Sequence, residues 1–135
     1  MARHDDHPRP HLLVVDDDPD LPEMLARALA DDGYAVTVCH DGRDVPHLVD
    51  AVQPAALIVD VLMPGTDGWT VLRALRATPA GRRLPVVLMS GAWRPHEQQR
   101  EIGTTRHIAP TVILPKPFAL ADLARCLRQV GVQPD

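Results

Sequence analysis

The sequence has no excess of basic residues, few cysteines and no apolar run long enough to span a membrane. Its 14 lysines and arginines stand against 18 aspartates and glutamates, so the formal net charge is -4. This balance provides no basic surface for nucleic acid, and we expect no direct nucleic-acid binding. The N-terminal residues lack the apolar core of a signal peptide, so we expect a cytoplasmic protein that makes no membrane contact.

The cysteines and the N-terminal histidines are the first candidates for metal ligands. Cys39 and Cys126 lie far apart in apolar surroundings without metal-ligand spacing, so we expect buried free thiols. His4, His7 and His11 could bind a metal, but their charged, proline-containing context favours a solvated segment. We therefore predict a flexible tail over residues 1–10.

The rest of the chain alternates short β-branched or leucine-rich runs with longer segments of helical period. This alternation is typical of a parallel sheet covered by helices on both faces. The predicted strands are residues 12–15, 35–39, 57–59, 86–89 and 112–114. The predicted helices are residues 21–29, 43–52, 68–77 and 120–130. A further helical stretch, residues 95–104, is mostly polar, so we expect it to be the most weakly packed and mobile element.

Apolar residues within the predicted helices recur at the spacing of one buried face. In the third helix the residues expected to face the core are Val71, Leu72 and Leu75. In the last helix they are Leu120, Leu123, Ala124 and Leu127. We predict one domain over residues 11–132 and no output domain.

Polar residues follow four of the predicted strands. Asp16 and Asp17 follow the first strand, Asp60 the third, Ser90 the fourth and Lys116 the fifth. Because parallel sheets bind ligands at the carboxyl ends of their strands, we expect these side chains to converge. Each residue also has an ordinary interpretation, since the acidic run could cap a helix and the others could be turn or surface residues. Their joint placement favours a shared site.

The residue types at this edge fit one reaction. Clustered carboxylates repel each other and favour a divalent cation, and Mg²⁺ prefers one or two carboxylates together with phosphate oxygens and water. A carboxylate can attack phosphorus to give an aspartyl phosphate, while a metal ion, an ammonium group and a hydroxyl group stabilise charge on the transferring oxygens. Asp60, Lys116 and Ser90 would supply the three side chains.

Four sequence blocks resemble the signature of a known family. They are LLVVDDD at residues 12–18, VDVLMPGTDG at 59–68, VLMSG at 87–91 and KPF at 116–118. In this order they resemble the receiver domains of bacterial two-component response regulators, of the stand-alone type found in chemotaxis regulators. The resemblance implies a flavodoxin-like α/β fold, doubly wound, with a five-stranded parallel sheet in the order 2-1-3-4-5 and about five surrounding helices.

The resemblance also implies a role for each site residue. Asp60 would be the phosphoacceptor and a Mg²⁺ ligand with Asp17 and the Leu62 backbone carbonyl, and Asp16 would bind the metal directly or through water. Ser90 and Lys116 would contact phosphoryl oxygens. Two neighbours would assist them: Gly91 would leave the phosphate accessible, and a cis bond to Pro117 would place Lys116.

The resemblance further implies a set of partners. The phosphoryl donor would be a histidine kinase or a phosphotransfer protein, and phosphorylation would switch binding of a downstream protein target. The chain would promote only its own phosphorylation and dephosphorylation, so it would be a signalling domain and not an enzyme. A homodimer formed through the fourth helix, fifth strand and fifth helix is a further option.

Four residues depart from the family pattern. Ile113 stands where an aromatic residue usually reports phosphorylation, and Ala109–Pro110 replaces the usual glycine–alanine pair. Pro115 cannot donate a ladder hydrogen bond, which an edge strand tolerates. We therefore expect the change at Ser90 to be transmitted through the polar stretch 95–104 and its flanking loops, where Trp93 is expected near the pocket.

Three competing classes bear on the same residues. A phosphatase of the haloacid-dehalogenase type needs a second acid two residues after its nucleophile, where this chain has Leu62. A flavin- or nucleotide-binding protein needs a phosphate loop after the first strand, where the acidic run would repel phosphate. The alternative left open is a receiver-like protein-interaction module that works without phosphorylation.

Overall fold

Five short apolar runs form one sheet, and longer amphipathic segments form the helices that cover it. The computed structural model describes residues 9–63, 66–91 and 111–134. The strands of the sheet are β1 His11–Val15, β2 Ala35–Cys39, β3 Ala56–Asp60, β4 Val86–Ser90 and β5 Thr111–Pro115. The α-helices described are α1 Leu21–Asp31, α2 Val45–Val52, α3 Gly68–Arg76 and α4 Leu120–Gln129. The predicted tail before Arg9 and the predicted helix over 95–104 lie outside the described residues.

All strands of this sheet are parallel, and their order is β2-β1-β3-β4-β5. The predicted doubly wound, flavodoxin-like topology is therefore confirmed. Two small elements connect the main ones: a 3-10 turn, Gly42–Asp44, precedes α2, and residues Leu62–Met63 pair with Thr66–Asp67 in an antiparallel ladder before α3.

Helices on both faces explain why the central strands contain almost no polar residues. Every residue of β3 and of β4 is buried, and alternate side chains enter two separate hydrophobic clusters. One cluster contains the inward faces of α1 and α4, and the other contains those of α2 and α3. A continuous apolar strand is the sequence pattern that burial on both faces requires.

The inward face predicted for α3 is confirmed, because Val71, Leu72 and Leu75 are buried. The prediction for the last helix is wrong at Leu120, whose side chain is 49% exposed, while Leu123 and Leu127 are fully buried. Leu120 is the first residue of α4 and lines a surface groove with residues of α1, so it faces that groove and not the sheet. The remaining residue of the predicted inward face, Ala124, is partly buried.

Both cysteines are buried free thiols, as predicted, and burial raises the pKa of each. Cys39 ends β2, and Cys126 lies on the inward face of α4. Within the described ranges, no helix is long and apolar enough to cross a membrane.

Candidate functional site

The first acidic residue lies where β1 ends at the edge of the sheet. The backbone N–H of Asp16 donates to the Cys39 carbonyl at 3.0 Å, which continues the β1–β2 ladder by one residue. Its carboxylate is fully buried, and Oδ1 accepts a hydrogen bond from the Asp18 N–H at 3.0 Å. The other oxygen, Oδ2, has no hydrogen-bond partner among the described residues. A buried carboxylate oxygen in this state is energetically costly unless a cation is close.

The acidic run Asp16–Asp18 had two possible roles, support of the start of α1 and metal binding. Asp18 stabilises the start of α1, because its Oδ1 accepts hydrogen bonds from the N–H groups of Asp20 at 2.8 Å and Leu21 at 2.9 Å. These two bonds lower the pKa of the Asp18 carboxyl. Asp18 thus supports the start of α1 from two residues before the N-cap, Asp20, while the Asp16 side chain faces the edge of the sheet.

Asp60 occupies the end of β3 and is 7% exposed. The Val61 N–H donates to the Met89 carbonyl at 2.8 Å, so the backbone on the C-terminal side of Asp60 is held by β4. One carboxylate oxygen from each of Asp16, Asp17 and Asp60 lies within 4.8 Å of the other two. Asp17 is exposed, whereas the other two carboxylates are buried.

This donor set fits Mg²⁺. The ion is bound by hard oxygen ligands and keeps several waters, and the exposed Asp17 leaves one side of the cluster open to solvent. Asp16 Oδ2 accepts no hydrogen bond from the described residues, and the single ammonium group of Lys116, 3.6 Å away, faces three carboxylates, which is a further reason to expect a cation. The three aspartates predicted to bind a metal are therefore brought together. The direction of the Leu62 carbonyl stays a prediction.

Lys116 supplies the positive charge of this edge. Its Nζ lies 3.4 Å from Asp60 Oδ1 and 3.6 Å from Asp16 Oδ2, and its side chain is 25% exposed. The Lys116 N–H donates to the Ser90 carbonyl at 2.8 Å, so the backbone that carries the lysine is fixed to the end of β4. The peptide bond to Pro117 is cis, as the resemblance implied.

Ser90 and its neighbours complete the predicted set. Ser90 is 1% exposed at the end of β4 and pairs with Pro115 of the edge strand β5. A proline is tolerated there because the strand has a neighbour on one side only among the described strands. Gly91 is exposed, and a Cβ added to it would be 3.9 Å from the Lys116 side chain, so it could accommodate a methyl group.

Gly68 is a residue whose role the sequence did not reveal. A Cβ at this position would lie 2.8 Å from the Asp60 carbonyl oxygen and 2.9 Å from Val61 Cα. The Gly68 N–H donates to the Val61 carbonyl at 2.7 Å, and Asp67 caps α3 by accepting from the Thr70 N–H at 2.7 Å. The start of α3 is therefore packed directly against the backbone of Asp60 and Val61. An Asp–Gly pair before a helical segment was the available signal.

The residues predicted to transmit a change are only partly described. Ile113 is half-buried and packs against the cluster that contains α2 and α3. Trp93, Ala109–Pro110 and the stretch 95–104 lie outside the described residues, so the predicted route through them stays a prediction.

Comparison with known proteins decides the family. The model of the response regulator receiver domain matches residues 12–128. The chain belongs to the response-regulator receiver family. Receivers of this family are phosphoacceptor signalling domains of two-component systems that typically bind Mg²⁺ at an acidic pocket and interact with histidine kinases and downstream targets.

The relatives and neighbours of this receiver agree with that assignment. It is 38% identical over 117 residues to the response regulator MprA of Mycobacterium avium, an alignment that covers 87% of this chain and 49% of that protein. The chain thus spans about half the length of the curated relatives it matches. The chemotaxis protein CheY4 of Vibrio cholerae superposes with a TM-score of 0.80 at 27% identity, over 90% of this chain and 98% of that one. A putative response regulator from Chloroflexus aurantiacus gives a TM-score of 0.77 at 28% identity, with coverages of 93% and 99%.

The contact between Gly68 and the Asp60 backbone makes a prediction about stability. Gly68→Ala should lower the free energy of unfolding by about 1–3 kcal/mol, because the new methyl group must displace backbone atoms that β4 holds in place. Gly91→Ala is the matched control, and it should change stability by less than about 0.5 kcal/mol. Urea denaturation of both variants measures the difference, and equal stabilities would contradict the close approach at Gly68.

Proposed function

We propose that this receiver accepts a phosphoryl group on Asp60 in a Mg²⁺-dependent reaction, and that phosphorylation switches its binding to a downstream protein. The donor in this proposal is a phosphohistidine on a histidine kinase or a phosphotransfer protein. The observation that carries it is the position of Lys116 Nζ, within 3.6 Å of both buried carboxylates at an edge where a third carboxylate converges. A structural ion pair needs one carboxylate, not three.

Asp60 is the nucleophile that this geometry favours. Its carboxylate oxygen would form the bond to phosphorus as the bond between phosphorus and the donor imidazole nitrogen breaks. The Lys116 ammonium group contacts Asp60 Oδ1, and after transfer it could pair with a phosphoryl oxygen. Ser90 carries its hydroxyl group at the end of the neighbouring strand, β4. Fixed donors of this kind stabilise the charge of a transferring phosphoryl group. Asp16 is less suitable as the nucleophile, because its carboxylate is fully buried and one oxygen is held by the Asp18 N–H.

The metal ligands proposed are Asp16, Asp17, Asp60 and the backbone carbonyl of Leu62. A bound Mg²⁺ would neutralise charge on the acceptor carboxylate and on the incoming phosphoryl oxygens. The chain's own contribution is to hold the carboxylates together: β1 and β3 are adjacent in the sheet, so their C-terminal residues emerge side by side.

A receiver-like module that binds partners without phosphorylation is the competing function. Such a module has no use for a second buried carboxylate or for a third one nearby, because clustered charges of one sign repel each other and oppose folding. The acidic cluster therefore favours phosphorylation. Only the replacement of the usual aromatic residue by Ile113 favours the alternative.

Domain organisation and location are parts of the same proposal. The family match over residues 12–128 supports a receiver domain close to the predicted range 11–132. A cytoplasmic location and a homodimer stay predictions from the sequence.

Asp60→Asn should abolish phosphorylation, because the amide nitrogen replaces the nucleophilic oxygen without changing the shape of the side chain. The protein is incubated with acetyl phosphate and Mg²⁺, and phosphate incorporation is measured on intact protein. Asp50→Asn is the control, since Asp50 is an exposed carboxylate on α2, and it should be labelled like the wild type. Undiminished labelling of Asp60→Asn would contradict the acceptor assignment, and a wild type that takes up no phosphate would favour the phosphorylation-independent module.

The groove beside the site is the surface we propose for donor docking. It has a volume of about 580 Å³ between α1 and the start of α4, and its lining is apolar except for Lys116. Met24 is 66% exposed and Leu120 is 49% exposed at this groove. Since Lys116 also contacts Asp60, a helix of the donor protein lying in this groove would approach the acceptor. On the adjoining surface of α1 and its N-cap, three exposed acidic residues, Asp20, Glu23 and Asp31, outnumber the exposed Arg27, which favours a donor with basic residues beside its apolar face.

Met24→Glu should separate donor docking from chemistry. It keeps a good helix former but places a charge in the groove, so we expect phosphotransfer from a histidine kinase that labels the wild type to fall by about tenfold or more, the loss of about 1.4 kcal/mol of docking energy. Labelling by acetyl phosphate, which needs no docking surface, should stay unchanged. His47→Glu, which adds the same charge at an exposed position of α2, is the control. Equal kinase labelling of both variants would show that the donor docks elsewhere.

A further inference from the structure

His40 contacts the loop that carries the acidic residues although it belongs to a different part of the chain. It directly follows β2, and its ring nitrogen Nδ1 lies 3.1 Å from the backbone carbonyl oxygen of Asp16. A carbonyl oxygen can only accept a hydrogen bond, so Nδ1 must carry the proton and donate. The second ring nitrogen, Nε2, lies 3.5 Å from Glu23 Oε1 in the first turn of α1.

The accepting carbonyl belongs to the peptide unit that joins Asp16 to Asp17. That unit is planar, so fixing the direction of its carbonyl also fixes the direction in which the chain enters Asp17. Asp17 itself is exposed, in contrast to the buried Asp16 and Asp60. Burial therefore does little to orient the Asp17 carboxylate, and the backbone before it is the main constraint on its position.

The two contacts of His40 differ in strength. The contact with Glu23 is an ion pair only when both ring nitrogens carry a proton, and it joins side chains that are 50% and 61% exposed, so it contributes little. The bond to the Asp16 carbonyl has an ordinary length and is partly buried, and its acceptor lies between two metal-ligand candidates, Asp16 and Asp17. Nδ1 is therefore the functional atom of His40, and Glu23 only helps to orient the ring.

We propose that His40 is a positioning residue for the metal site: its Nδ1–H holds the Asp16–Asp17 peptide so that the Asp17 carboxylate points towards Asp16 and Asp60. This inference rests on the proposed function, because it assumes that the three carboxylates bind Mg²⁺. It assigns His40 no contact with the ion or with the phosphoryl group.

Two amides distinguish the two ring nitrogens. The side-chain nitrogen of asparagine occupies the place of Nδ1, whereas that of glutamine occupies the place of Nε2. Loss of a group that orients a metal ligand typically weakens metal affinity 10- to 100-fold, so His40→Ala and His40→Gln should raise the Kd for Mg²⁺ by about tenfold or more. His40→Asn should keep the Kd within about twofold of the wild type, which is less than that typical loss. His47→Ala, an exposed histidine of α2, is the control and should leave the Kd unchanged.

The experiment is calorimetric titration of the full chain with MgCl₂ at one fixed pH, together with phosphorylation by acetyl phosphate at saturating Mg²⁺. The phosphorylation rate at saturating Mg²⁺ should be the same in His40→Ala and in the wild type, because Asp60, Lys116 and Ser90 are unchanged. An unchanged Kd in His40→Ala, equal Kd values for the Asn and Gln variants, or a loss of rate that saturating Mg²⁺ does not restore would each overturn the positioning role. A wild type that binds no Mg²⁺ would instead overturn the proposed function, and this inference with it.

Discussion

The concentration of negative charge at the carboxyl edge of the sheet is the constraint on which the rest of the structure depends. Asp16 and Asp60 are held in the protein interior, where an unpaired carboxylate is costly, and Lys116 Nζ lies within 3.6 Å of both. One ammonium group cannot neutralise three carboxylates that come within 4.8 Å of one another. The surrounding fold must therefore supply the free energy that keeps them together, and a divalent cation would lower that cost.

The apolar strands supply this free energy. β1, β3 and β4 are buried on both faces, so the register of their hydrogen bonds fixes where Asp16, Asp60 and Ser90 emerge. Contacts outside the sheet then refine the positions: Gly68 packs against the Asp60 backbone, and His40 donates to the Asp16 carbonyl. Because the buried strands supply the stability and the loop contacts only adjust positions, repulsion among the carboxylates does not separate the strand ends.

The convergence of the candidate residues was predictable because it depends on features that are local in the sequence. Each of the residues follows an apolar run, and parallel strands place their ends together whatever the loops do. Contacts between loops were not predictable in this way, since the contact of His40 with Asp16 joins residues 24 positions apart and needs the packed structure. Leu120 was wrongly assigned to the core because its helical spacing is right, but its side chain faces the groove beside α1 and not the sheet.

Thermal unfolding of the wild type with and without Mg²⁺ tests most directly whether this edge is built for a cation. At a Mg²⁺ concentration of 100 times the Kd, binding to the folded state alone should add about 2.7 kcal/mol of stability and raise the Tm. Asp17→Ala, which removes the exposed carboxylate, should largely erase the rise, and chelated samples of both proteins that are free of divalent cations give the baseline. A Tm of the wild type that does not respond to Mg²⁺ at any concentration, or that rises equally in Asp17→Ala, would contradict the account.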